Sequence, residues 1–178
     1  MGDAGDVEAG ALHLVEAGLA DPERIGLMGW SYGGFISAYL SATSDVFAAI
    51  SVGAGISDWR THYAWEPSNV TTRDFSFGAT PWDDPSAYEV ASPVAHIRSA
   101  RTPTLIQHVD GDPYVTVLNA YELYQALKDV GVETRFVEYQ GRGHGIGSLR
   151  QRHGALWHNW QWFARYIWQE EVELPLDD

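Results

Sequence analysis

Gly29-Trp30-Ser31-Tyr32-Gly33-Gly34 is the stretch that decides the fold. It follows a short apolar run at 25–28, which predicts a buried strand. It precedes a small-residue run at 33–42, which predicts a helix. A G-x-S-x-G pattern between a strand and a helix marks a sharp turn that presents a serine hydroxyl above the sheet. The chemistry explains the glycines. The serine backbone is strained, and side chains two residues to either side are expected to collide with the strand and the helix. The turn also puts the amide of Tyr32 at a helix start, where it can donate to a developing oxyanion.

Outward from this turn, strands and helices alternate. Further strands are predicted at 47–52, 104–107 and 133–139. Val7, Ala11, Leu14 and Gly18 share one face of a helix over 6–17. Ala120, Leu123, Leu127 and Val130 mark another that stops at Gly131, and Leu156, Trp160, Phe163 and Ile167 a closing one. The alternation predicts an α/β fold with a mainly parallel sheet of about four strands flanked by helices. The pattern breaks over 53–102, an irregular insert holding Trp59, Tyr63, Trp65, Phe75, Phe77, Trp82 and Tyr88 among Pro67, Pro81, Pro85 and Pro93. A long irregular insert in a compact domain usually carries function or a lid, although its aromatics can equally serve only to pack it down.

With a nucleophile of this type, an acid and then a histidine follow in chain order, each in the loop after a later strand. The 104–107 strand leads into His108-Val109-Asp110-Gly111-Asp112-Pro113-Tyr114-Val115. The 133–139 strand leads into Gly141-Arg142-Gly143-His144-Gly145. His144, flanked by glycines on a loop, is the best base among seven histidines. His13, His153 and His158 fall on helices, His62 and His96 in the insert, and His108 at a strand end. Either Asp110 or Asp112 can hold the imidazole tautomer, and the other would then cap a turn with Gly111. Periodicity does not separate them.

Composition narrows the function classes. A chain of 178 residues, 45% of them apolar, supports one globular domain. Its 24 acidic against 11 basic residues and net charge of -13 argue against nucleic acid and anionic membrane as partners. The acidic tail 170–178 reads as a solvated end. Without cysteine there is no disulfide, thiolate catalysis or Cys-based zinc site. No apolar run reaches the length of a membrane span, and the first residues lack the pattern of a secretory signal, so the expected compartment is the cytoplasm.

Taken together, these motifs resemble the C-terminal catalytic region of the prolyl oligopeptidase family, within the α/β-hydrolases, especially its acylaminoacyl-peptidase and dipeptidyl-peptidase branches. The resemblance runs through Ala20-Asp21-Pro22-Glu23-Arg24-Ile25, the Ser31 turn, Val52-Gly53-Ala54-Gly55 and Thr80-Pro81-Trp82-Asp83-Asp84-Pro85. It continues through Thr102-Pro103-Thr104-Leu105-Ile106 to Gly143-His144-Gly145. It implies Ser31 as nucleophile and His144 as base. The family spacing His-Gly, two residues, Asp, two residues, Val is kept by His108, Asp112 and Val115, which makes Asp112 the acid. Val109 departs from the usual glycine, and Thr116 from a common proline. The resemblance also points to Trp59, with His62 and Tyr63 near it, as lining the substrate pocket. No metal or cofactor is implied.

The same resemblance implies earlier strands and a β-propeller that these residues do not include, hence a truncated hydrolase domain over 1–178. Three expectations follow. The second oxyanion donor is missing, so activity falls mainly on activated short-chain esters, with a peptidase or a catalytically silent domain as alternatives. The Ser31 strand, with Ile25, Leu27 and Met28, becomes an apolar sheet edge that favours a homodimer. Activity drops at acid pH as the imidazole takes up a proton.

Overall fold

The computed structural model of the chain describes residues 2–66 and 71–173, without the side chains of 71, 74 and 75. Pro67, the ring of Phe75 and the tail beyond 173 lie outside the described residues.

Four strands form one parallel sheet in sequence order: β1 (Gly26–Trp30), β2 (Ala49–Gly53), β3 (Thr104–Gly111) and β4 (Thr134–Arg142). The inner strands show why parallel sheets read as continuous apolar runs, since every residue of β2 is buried. Their side chains alternate between two layers. Ile50, Val52 and Ile106 face α2 (Tyr32–Thr43) and α5 (Leu118–Asp129), where Ala38, Leu40, Leu123 and Leu127 complete the main core. Ala49 and Leu105 face the other way, onto Trp162 of α6 (Leu149–Phe163).

The N-terminal helix, α1 (Gly2–Glu16), buries Ala4 and packs Ala11 on the main core, but Val7 and Leu14 are exposed. The expected apolar face is therefore only half used. The insert is mostly helical. It contains α3 (Trp59–Trp65), a π-helical turn (Thr71–Phe77), α4 (Pro85–Ala91) and a 3-10 helix (Pro93–Ser99). Asp58 caps α3 through the amides of Arg60 and Thr61, and Asp84 caps α4 through that of Ala87, with Pro85 at its first turn. Phe35, Trp59, Phe77 and Tyr88 tie the insert to α2 by ring contacts, Phe77 stacking on Tyr88 at 4.0 Å. Trp59, Phe77 and Tyr88 thus pack the insert onto the domain, whereas Trp65 and Trp82 stay exposed.

β1 forms one edge of the sheet. Ile25 and Leu27 turn into the core and only Met28 faces outward, beside the exposed Leu156 and Trp160 of α6. Among the described residues no helix is long and apolar enough to cross a membrane.

Three imidazoles, the buried His108 and the half-buried His62 and His158, are held below their ordinary pKa of 6.5, each mainly by burial. Between that value and their lower native ones the unfolded chain binds more protons than the folded one, so stability falls as pH falls. Glu122, pushed up by burial, acts in the opposite sense but is a single group. Urea denaturation is expected to show a lower midpoint at pH 5.5 than at pH 7.5, the loss starting below about 6.5.

Candidate active site

Ser31, Asp112 and His144 follow the C-terminal ends of β1, β3 and β4, the end at which open parallel sheets collect ligands. Ser31 has φ 61° and ψ -121°, outside the usual regions for a residue with a side chain. Its amide donates to the Gly53 carbonyl as if the strand continued, and its carbonyl accepts from Phe35 as the first turn of α2. The chain thus changes from strand to helix across one residue. Ser31 makes no capping bond, and its hydroxyl lies 2.5 Å from Nε2 of His144. Nδ1 of His144 lies 2.7 Å from Oδ2 of the buried Asp112.

The second oxygen of Asp112 accepts from the amides of Tyr114 and Val115 at 2.8 and 3.1 Å, a turn that fixes the carboxylate under the imidazole. Asp110 points elsewhere and accepts from the amide of Gly141. Buried His108 packs behind the acid. Its Nε2 donates to the Val115 carbonyl at 2.9 Å and stays 3.7 Å from the Asp112 oxygen. Burial pushes its pKa down against the Val115 hydrogen bond and the pull of Asp112, which favours the neutral imidazole. Trp30 holds the His144 loop from the other side, its indole N–H donating to the His144 carbonyl at 2.9 Å.

The glycines of the turn are not equivalent. A Cβ on Gly29 would come within 2.3 Å of the Gly33 backbone, and one on Gly34 within 2.1 Å of the Gly53 carbonyl oxygen. A Cβ on Gly33 would meet nothing within 4 Å. The expected collision on the helix side therefore belongs to Gly34, where α2 rests on the end of β2. Gly34→Ala forces backbone against backbone and is expected to cost about 3 kcal/mol or more in urea denaturation, with Gly33→Ala far milder.

Tyr32 opens α2 beside Ser31, so its amide is available to an oxyanion there. Its phenol donates to Asp3 at 2.6 Å and is pushed up to about 12, by burial and then by that carboxylate. A cavity of about 500 Å³ opens next to Ser31 and His144. Trp59 and His62 line it. Tyr63 does not, since its ring packs edge-on against Tyr88 at 6.0 Å. Ile56, Glu66, Tyr114 and Val115 line it as well and were not anticipated. Glu66 was within reach, because Trp59, His62 and Glu66 follow the 3-4 spacing of one helical face. Asn119, fully buried on α5, accepts from the amides of Ser57 and Asp58 at 2.9 and 3.2 Å, and so anchors the start of the Trp59 wall.

Relatives match most of the chain. An uncharacterized peptidase, YuxL, of Bacillus subtilis is 28% identical over 83% of this chain and 23% of its own length. The acylamino-acid-releasing enzyme of Arabidopsis thaliana is 28% identical over 86% of this chain and 21% of its own length. The solved acylaminoacyl peptidase of Pyrococcus horikoshii superposes with a TM-score of 0.87 at 28% identity, covering 97% of this chain and 29% of that one. The chain thus spans about a quarter of the length of these relatives. The family model of the prolyl oligopeptidases matches residues 2–170, so the chain belongs to the prolyl oligopeptidase family, with the α/β-hydrolase fold.

Proposed function

We propose that this chain carries the acyl-transfer site of a serine peptidase of the acylaminoacyl-peptidase type. Ser31 is the nucleophile, His144 the general base, Asp112 its orienting acid and the Tyr32 amide an oxyanion donor. The observation that carries this reading is the continuous run from hydroxyl to imidazole to buried carboxylate, at 2.5 and 2.7 Å.

The chemistry follows from that line. The Ser31 hydroxyl gives its proton to Nε2 of His144 as Oγ attacks the substrate carbonyl. The Tyr32 amide meets the charge that develops on the carbonyl oxygen. The imidazolium then passes its proton to the leaving amine, which departs and leaves an acyl group on Oγ. Water, deprotonated by the same imidazole, releases the acid. Asp112 keeps Nδ1 protonated and stabilises the transient positive ring.

The ester-directed expectation is less well supported than the peptidase one. It rests on an expectation about the oxyanion donors, whereas the relatives are described as peptidases and acylamino-acid-releasing enzymes. A fluorophosphonate probe followed by a panel of aminoacyl amides and nitrophenyl esters separates the readings. Labelling at Ser31 with amide cleavage supports the peptidase. Ester turnover alone returns the esterase. Folded protein that takes no label is catalytically silent.

A further inference from the structure

Nucleophile and base start from opposite margins of the described sheet. Ser31 follows β1 and His144 follows β4, and the strand order is β1-β2-β3-β4. At the usual spacing of paired strands the two outer ones lie about 14 Å apart. The base must therefore reach back over the ends of β2 and β3. Its loop is built for reach rather than stiffness. Glycines flank His144, Gly143 has φ 138°, and the bond from the Gly143 amide to the Gly111 carbonyl is long at 3.4 Å. Two residues beyond His144, Ile146 packs on the cluster of Val109, Tyr139 and Ala155.

Trp30 meets the loop from the nucleophile's side. It pairs with Gly53 in the β1–β2 register, and its six-membered ring lies over that glycine. A Cβ on Gly53 would come within 2.2 Å of Cε3, 2.8 Å of Cζ3 and 3.0 Å of Cδ2 of the indole. The bare Cα of Gly53 thus gives the ring its seat. From there the indole N–H donates to the His144 carbonyl at 2.9 Å. His144 is held at three points: Nε2 by Ser31, Nδ1 by Asp112 and its main chain by Trp30. Trp30 and Ser31 are consecutive residues, so the grip on the base and the nucleophile share one piece of backbone.

We propose that Trp30 is a positioning residue for acyl transfer, its indole N–H setting how far the His144 ring stands from the Ser31 hydroxyl. The inference rests on the serine-nucleophile reading above and adds a residue to it. Contacts to the ring orient the imidazole, whereas the indole fixes the main chain that carries it. Loss of that bond leaves the glycine-flanked loop free to drift. A displacement of about 1 Å at the reacting atoms costs up to about 100-fold in rate.

The test removes the donor and keeps the shape. Benzothienylalanine, which has sulfur where tryptophan has its N–H, is installed at position 30 of the intact protein. A plain alkyl fluorophosphonate then reports on Ser31 in saturation kinetics. Oγ displaces fluoride from phosphorus as Nε2 takes the hydroxyl proton, so the reagent reads the step that Trp30 is held to align. The maximal labelling rate is expected to fall about 10- to 100-fold. The half-saturating concentration should hold, since Trp30 does not line the cavity. Trp30→Phe also lacks the donor and should show the same split. An unchanged maximal rate in folded protein, even with a lower urea midpoint, would overturn the positioning role and leave Ser31 and His144 in theirs. So would a loss confined to the half-saturating concentration. Folded wild-type protein that takes no label would overturn the serine-nucleophile reading and this inference with it.

Discussion

Ser31→Ala is expected to lower turnover by about 10⁴- to 10⁶-fold and to abolish fluorophosphonate labelling, with the fold unchanged. The substitution removes only the oxygen that faces His144 at 2.5 Å. It keeps a Cβ, and so keeps the backbone strain at φ 61° and ψ -121°. Ser31→Gly is equally inactive but accepts those angles without that strain. It should be more stable than Ser31→Ala by about 1 kcal/mol, read as a higher midpoint in urea. Equal stabilities would mean that the turn holds no strain at this residue. Residual amide cleavage near the wild-type rate in Ser31→Ala would remove Ser31 from the mechanism.

The second large effect concerns the acid. Asp112→Asn is expected to cost about 10⁴ in kcat with little change in KM. Asparagine can keep the oxygen that accepts from Tyr114 and Val115, so the loop should survive. The other oxygen, 2.7 Å from Nδ1, becomes an amide group that donates instead of accepting. The imidazole then turns its proton towards Ser31 and can no longer remove one. Asp110→Asn is the control. Asp110 accepts from the Gly141 amide rather than from His144, and near-normal kcat is expected. If the two variants behaved the other way round, the carboxylate bearing on His144 in solution would be Asp110.

Where the sequence was informative, a single physical cause acted over a long enough stretch. All four strands were legible because the sheet core demands apolar residues. Their C-terminal ends were not. β3 and β4 continue to pair as His108 with Glu138 and Gly111 with Arg142, beyond the apolar core. Backbone bonding there outlasts the pattern that predicts it. The insert was misread as irregular because α3 and α4 have seven residues each, too few to show a period. Their capping residues, Asp58 and Asp84-Pro85, were the available signal. Chain order and loop placement led to Ser31 and His144. The choice between Asp110 and Asp112 needed either the family spacing or coordinates, because it depends on which carboxylate the Tyr114 and Val115 amides fasten down. Tyr63 was misplaced because it neighbours His62 in sequence while its ring turns to Tyr88.

The wall around Trp59, His62 and Glu66 stands on short helices that share no ladder bonds with the sheet, whereas Ser31, Asp112 and His144 stand directly on strand ends. On the proposed reading, part of the substrate wall is therefore carried by a stretch of polypeptide separate from the catalytic groups, while Tyr114 and Val115 tie the rest of it to the Asp112 turn. A descendant of this protein can alter that part by rewriting a few helical turns and leave its blade as it is. Mutational tolerance mapped along the chain should trace that division, permissive on the sieve and strict on the scissors.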